Sequence, residues 1–170
     1  TPVSVAANKT LSGAITVTSG RLKLNETGTV ASTIAMSGGV LDVKNSLALS
    51  GALTQAGNVY IDIYTGKTLT YSGAAISLGA NTLTLLGGGT FSNTNALVLN
   101  NANSKLLLNS TITLGSASTS SDSLGLDVNA DSTVTSLSVG HITPVSVAAN
   151  KTLSGAITVT AGSIKLDEAG

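Results

Sequence analysis

Apolar residues fall at every second position in short bursts along the whole chain. Ile15/Val17, Leu22/Leu24, Ile34/Met36, Leu41/Val43, Ile61/Ile63, Leu97/Leu99 and Val145/Val147 are examples, most of them interleaved with polar residues. A period of two is the strand signature, because successive side chains on a strand point to opposite faces. Between the bursts sit Gly, Asn and Ser, often as SG, GG or NN, the residues that tolerate turn angles. No stretch carries the 3.6-residue pattern of an amphipathic helix. The chain is predicted to be all-β.

The bursts are too short for the long strands of a sandwich, and their spacing is more informative. Leu22, Leu41, Ile61, Leu83, Leu106 and Leu124 form a column recurring at intervals of about 20 residues. That is the rung size of a parallel β-solenoid (β-helix), in which each coil stacks on the last. The expected core ladder is Leu22, Leu24, Leu41, Val43, Ile61, Ile63, Leu83, Leu85, Leu106 and Leu108.

A second repeat lies over the first. Residues 1–18 (TPVSVAANKTLSGAITVT) return identically at 143–160, and 23 of the 28 positions in 1–28 match 143–170 at an offset of 142. Residues 1–142 therefore read as one full repeat of about seven coils, and 143–170 as the start of the next in the same solenoid. At about 4.8 Å per rung one repeat would be about 34 Å long. The differences between the copies indicate facing. Ser19/Ala161, Arg21/Ser163, Asn25/Asp167 and Thr27/Ala169 vary freely at odd positions, whereas Leu22 changes only to Ile164 and Leu24 returns as Leu166. Leu22 and Leu24 are expected inside.

Composition narrows the function classes. Charged residues are 9% and aromatics 2% of the 170 residues, while hydrophobic residues are 42%. A typical domain is roughly a quarter charged. The apolar content argues against intrinsic disorder. The formal net charge of zero gives no basic face for nucleic acid or an anionic membrane. No apolar run approaches the roughly 20 residues of a spanning helix, so no membrane insertion is expected. Cysteine is absent.

The segments GANTLTLLGGGTFSNTN (residues 79–95) and SGAITVTSGRLKL (residues 12–24) resemble the repeats of autotransporter passengers and filamentous-haemagglutinin-type adhesins. The resemblance implies a right-handed parallel β-helix exported to the bacterial cell surface, serving as an extracellular stalk or adhesin. It supplies no catalytic residue to carry over. The expected partners are further copies of the same unit, in one chain or head to tail. A surface glycan is the alternative, bound by an exposed face of a host-binding adhesin module.

Few residues carry candidate chemistry. Tyr60, Asp62 and Tyr64 alternate with Ile61 and Ile63 and should face outward; with Tyr71 one strand later they form the candidate contact patch. Asp127, Asn129 and Asp131 have the spacing that opens a calcium loop, but Ser132 stands where Gly is needed and Ser138 where the bidentate Glu would be. They read as a solvated turn. Thr-x-Thr pairs such as Thr68/Thr70, Thr82/Thr84, Thr111/Thr113 and Thr133/Thr135 fall at irregular spacings, so a flat ice-binding array is not expected. His141 is the single histidine and no metal site is read from it. Gly87–Gly89 lacks the Lys-Ser/Thr of a phosphate loop and reads as a turn. Polysaccharide hydrolases on this fold need paired carboxylates, and no two acids are expected on matched strands of neighbouring coils. The sole arginine, Arg21, becomes Ser163 in the second copy. The expectation is a structural repeat without catalytic residues, cofactor or metal.

Overall fold

The computed structural model describes residues 10–25 and 27–166, which form strands joined by turns, bends and irregular segments, none of them helical. Eight coils stack one on another, and each contributes strands to three faces. Coil 1 comprises Thr10–Leu11, Ala14–Val17 and Arg21–Leu24; coil 2 comprises Thr29–Val30, Thr33–Met36 and Val40–Val43. The pattern continues through coil 3 (47–63), coil 4 (68–86), coil 5 (90–108), coil 6 (113–128), coil 7 (132–147) and coil 8 (153–166). In coils 6 to 8 the first two strands merge across the corner, as in Thr113–Thr119 and Ser132–Val139. Every strand-to-strand pairing is parallel and joins one coil to the next. The chain is a parallel β-solenoid with roughly 20 residues per turn.

Alternation explains the core. On the third face Leu22, Leu24, Leu41, Val43, Ile61, Ile63, Leu83, Leu85, Leu106 and Leu108 are all buried. Their vertical order differs from the expected column. Leu22 pairs with Leu41 and Leu41 with Ile61, but Ile61 meets Leu85 rather than Leu83. The column then runs through Leu108, Val128 and Val147 to Leu166. Leu83 and Leu106 stand in the neighbouring column, which runs from Val59 through Leu126 and Val145 to Ile164. Leu124, the expected next member, is 51% exposed, and Leu126 takes the inward position. The reason is the period itself. A one-residue slip flips every side chain to the other face, but a two-residue slip leaves facing unchanged, so alternation cannot detect it.

The slip occurs where the coils grow. From Ile61 to Leu85 is 24 residues and from Leu85 to Leu108 is 23, against 19 from Leu22 to Leu41. The added length lies mainly in the turns that flank the second face: residues 72–75 and 78–81 in coil 4 and 100–104 in coil 5, against 31–32 and 37–39 in coil 2. At the corner between the third and first faces Gly87, Gly88 and Gly89 pack under the 64–67 turn, and Thr65 Oγ1 donates to the Gly87 carbonyl at 2.9 Å. Gly87 has φ +91°, and a Cβ on it would lie 2.2 Å from the Ile63 carbonyl oxygen. The triple glycine is required by this close approach.

The enlarged coils hold the two fully buried aromatic rings. Tyr71 in coil 4 and Phe91 in coil 5 stack with centroids 6.1 Å apart and planes 17° from parallel. The expectation that Tyr71 faces outward with Tyr60 and Tyr64 is thereby corrected. In the strand Thr68–Tyr71 it shares the inward side with Leu69, while Thr68 and Thr70 take the other. Its hydroxyl donates to the Ala74 carbonyl at 2.6 Å and accepts from the Leu53 N–H at 3.1 Å. Next to Tyr71 in register, Asn93 fills a core position. Its amide donates to the Asn95 and Ser116 carbonyls and its oxygen accepts from the Ser116 N–H.

These contacts can be tested by substitution. Gly87→Ala should lower stability by about 2 kcal/mol or more, because the clash and the positive φ act together; urea denaturation checks it. Tyr71→Phe should cost about 1–3 kcal/mol by leaving the buried Leu53 N–H unpaired. Burial raises the Tyr71 pKa, opposed by the Leu53 hydrogen bond. The folded state therefore favours the protonated phenol. That contribution is full below the ordinary tyrosine value of about 10 and is lost as pH rises through the raised one. The stability gap between the native chain and Tyr71→Phe should shrink above about pH 10 in melting curves run across that range.

Candidate functional site

The densest polar chemistry lies on the outer side of the third face in coils 1 to 3. Strand alternation turns Arg21 and Lys23 outward in coil 1, Asp42 in coil 2, and Tyr60 and Asp62 in coil 3, while the leucines and isoleucines between them point in. Asp42 and Asp62 are direct register partners on adjacent coils. This corrects the expectation that no two acids would match across coils. The signal was present, since both residues sit between the paired apolar positions Leu41/Val43 and Ile61/Ile63.

Two cations compensate the two carboxylates. Arg21 Nη1 lies 3.3 Å from Asp42 Oδ2 and 3.5 Å from Asp62 Oδ2, so one guanidinium links coils 1, 2 and 3. Lys44 Nζ lies 3.4 Å from Asp42 Oδ1, an ion pair without hydrogen-bond geometry. The Asp42 side chain is only 1% exposed. A carboxylate sealed in this way is held by its cations and does not reach a ligand in solvent. The arrangement acts as an inter-coil staple.

The aromatic patch is smaller than the sequence implied. Tyr60 and Tyr64 are exposed, and Tyr71 is in the core. Lys44 Nζ sits 3.4 Å from the Tyr64 ring centroid, a cation–π contact that covers one of its faces. Tyr60 is exposed and shares the outward side of its strand with Asp62.

The other singled-out residues disperse. Lys105 Nζ pairs with Asp127 Oδ2 at 2.6 Å, Asn129 donates to Asn109 Oδ1 at 2.8 Å, and Asp131 Oδ1 accepts from the Thr152 N–H at 2.9 Å. Each reaches a different neighbour on an adjacent coil, so the three do not converge on a point. His141 occupies a corner with φ +60°. The threonines are more ordered than expected: Thr68, Thr90, Thr113 and Thr133 are in register, continued by Ser154. Thr82 and Thr84 belong to the third face.

A second feature is the uncovered end coil. Coils 1 and 8 carry nearly the same sequence but differ in burial. Val17 is 7% exposed and its counterpart Val159 is 43%; Leu22 is 4% and Ile164 is 42%; Leu24 is 1% and Leu166 is 69%. Among the described residues coil 1 pairs with coil 2 and coil 8 with coil 7, and the far edge of coil 8 has no described coil against it. Nearly the same residues are thus core at one end of the described solenoid and surface at the other.

The staple yields a prediction. Asp42→Ala should cost about 1–2 kcal/mol, since it removes the carboxylate that Arg21 and Lys44 share, whereas Arg21→Ala should cost about 1 kcal/mol or less because its head is half exposed. Urea titrations at low and high salt check this, and the Arg21 effect should be the more salt-sensitive. Comparison with known proteins finds no matching family model, no matching curated sequence and no matching solved structure.

Proposed function

We propose that this chain is a segment of a long extracellular bacterial fibre or surface-adhesin stalk, and that its work is mechanical. The observation that carries the reading is the open edge of coil 8, where Val159, Ile164 and Leu166 stand exposed although coil 7 pairs with them on the other side. A coil cannot bury its apolar side alone, and in solenoids stability comes from neighbours. A returning sequence at the 142-residue offset lets the next period seat on coil 8. The location at the bacterial surface rests on the adhesin-like repeat text. The role is non-catalytic, with no cofactor, and the partner is the same chain or its copies. The glycan-binding alternative is less well supported, because Tyr71 is interior and Lys44 occupies a face of Tyr64.

The test is length. Chains carrying one, two and three 142-residue periods should form rods that lengthen by about 34 Å per period at constant thickness, measured by small-angle scattering and negative-stain imaging. Periods that collapse into separate beads, or a length that fails to grow in proportion, would contradict the stalk.

A further inference from the structure

The near-identity of coils 1 and 8 has a consequence for association between molecules. Residues 152–160 repeat residues 10–18 without change, Lys165 and Leu166 match Lys23 and Leu24, and Ile164 stands in for Leu22. Coil 2 therefore has two seats of nearly equal quality: coil 1 of its own chain, and coil 8 of another molecule wherever that coil is uncovered. We propose that the chain self-associates head to tail by coil exchange, coil 8 of one molecule displacing coil 1 of the next. The occupant of the uncovered edge is thus a second copy of this chain, through its residues 29–43.

Register specifies the contact. Coil 1 pairs with coil 2 through Ile15–Ile34, Val17–Met36, Leu22–Leu41, Lys23–Asp42 and Leu24–Val43. In the exchanged form Ile157 takes the place of Ile15, Val159 that of Val17, Ile164 that of Leu22, Lys165 that of Lys23 and Leu166 that of Leu24. The chain direction is preserved, because coil 2 lies on the C-terminal side in both cases, so the axis continues through the junction. Exchange of identical elements is a low-cost route to association.

One residue distinguishes the two seats. Arg21 holds coil 1 to Asp42 at 3.3 Å and to Asp62 at 3.5 Å. Its counterpart Ser163 has no charge to offer either carboxylate. Arg21 therefore biases the equilibrium toward the molecule's own first coil, and the remaining contacts cancel between the two forms. The staple acts as a brake on polymerisation. The inference rests on the stacking of the proposed stalk, but it concerns a non-covalent junction that the stalk does not need.

The test uses the full 170-residue chain in sedimentation velocity over a wide concentration series. The native chain should form end-to-end oligomers weakly. Arg21→Ser should tighten association roughly fivefold, the worth of an exposed ion-pair network. Leu166→Lys, at a position already open to solvent, should leave monomers. Because the chain has no cysteine, Val40→Cys combined with Ser163→Cys provides a geometric readout. In one molecule these positions lie about six rungs, or about 29 Å, apart, beyond disulfide reach. In the exchanged form they are register neighbours and should give a disulfide-linked ladder between molecules. Circular dichroism on each variant reports retained strand content. Monomers at every concentration for both the native chain and Arg21→Ser would overturn the exchange, as would undiminished association of Leu166→Lys, or association without the intermolecular disulfide. Any of these results leaves the length of covalent multi-period chains to its own measurement, so the two failures are distinguishable.

Discussion

Everything in this molecule depends on one coil lying in register on the next, with aliphatic side chains stacked beneath a ladder of inter-coil hydrogen bonds. The Val40 N–H to Gly20 carbonyl bond at 2.8 Å and the Ala48 N–H to Gly28 carbonyl bond at 3.0 Å are typical rungs. Each Leu, Ile or Val removed from water by such stacking is worth roughly 1.5–3 kcal/mol, a gain no coil obtains alone. On coil 8, paired with coil 7 along one edge, Leu166 remains largely open. Stability is a property of neighbours, and each added coil covers the one before it while exposing its own far edge.

Departures from a uniform coil are local and have causes. Coils 4 and 5, which enclose Tyr71 and Phe91, lengthen in the turns on either side of the second face, while the glycine corner at 87–89 packs closely against the preceding turn. Asn93 enters the column next to Tyr71 and satisfies its amide on backbone groups, so a polar residue in the core leaves no deficit. The ion-pair staple belongs to the same class of device. It lies outside the aliphatic core and joins three coils through a single guanidinium.

Much of the fold was legible in the sequence because alternation reports facing and the 20-residue spacing reports stacking. The buried set from Leu22 to Leu108 was readable on those grounds. Vertical register was not, because Leu83 and Leu85 face the same way and only backbone pairing decides which of them meets Ile61. Tyr71 was misread by its nearness to Tyr60 and Tyr64, although Leu69 beside it carried the correct phase. The Asp42/Asp62 pair was legible but overlooked, because the column that sets Ile61 over Leu41 already places the two acids in register. The enclosure of Asp42 depends on where Arg21 and Lys44 lie across coils, which no single burst of sequence encodes.

The solenoid therefore joins a repetitive interior to an end whose burial is decided by the coil stacked against it. Hydrogen exchange is the most direct test of that dependence. Amides of residues 153–166 should exchange quickly in the 170-residue chain, and should become as protected as those of coils 3 to 5 once another full period is appended in the same polypeptide. End-coil amides already as slow as the central ones, or unchanged by the added period, would contradict the account.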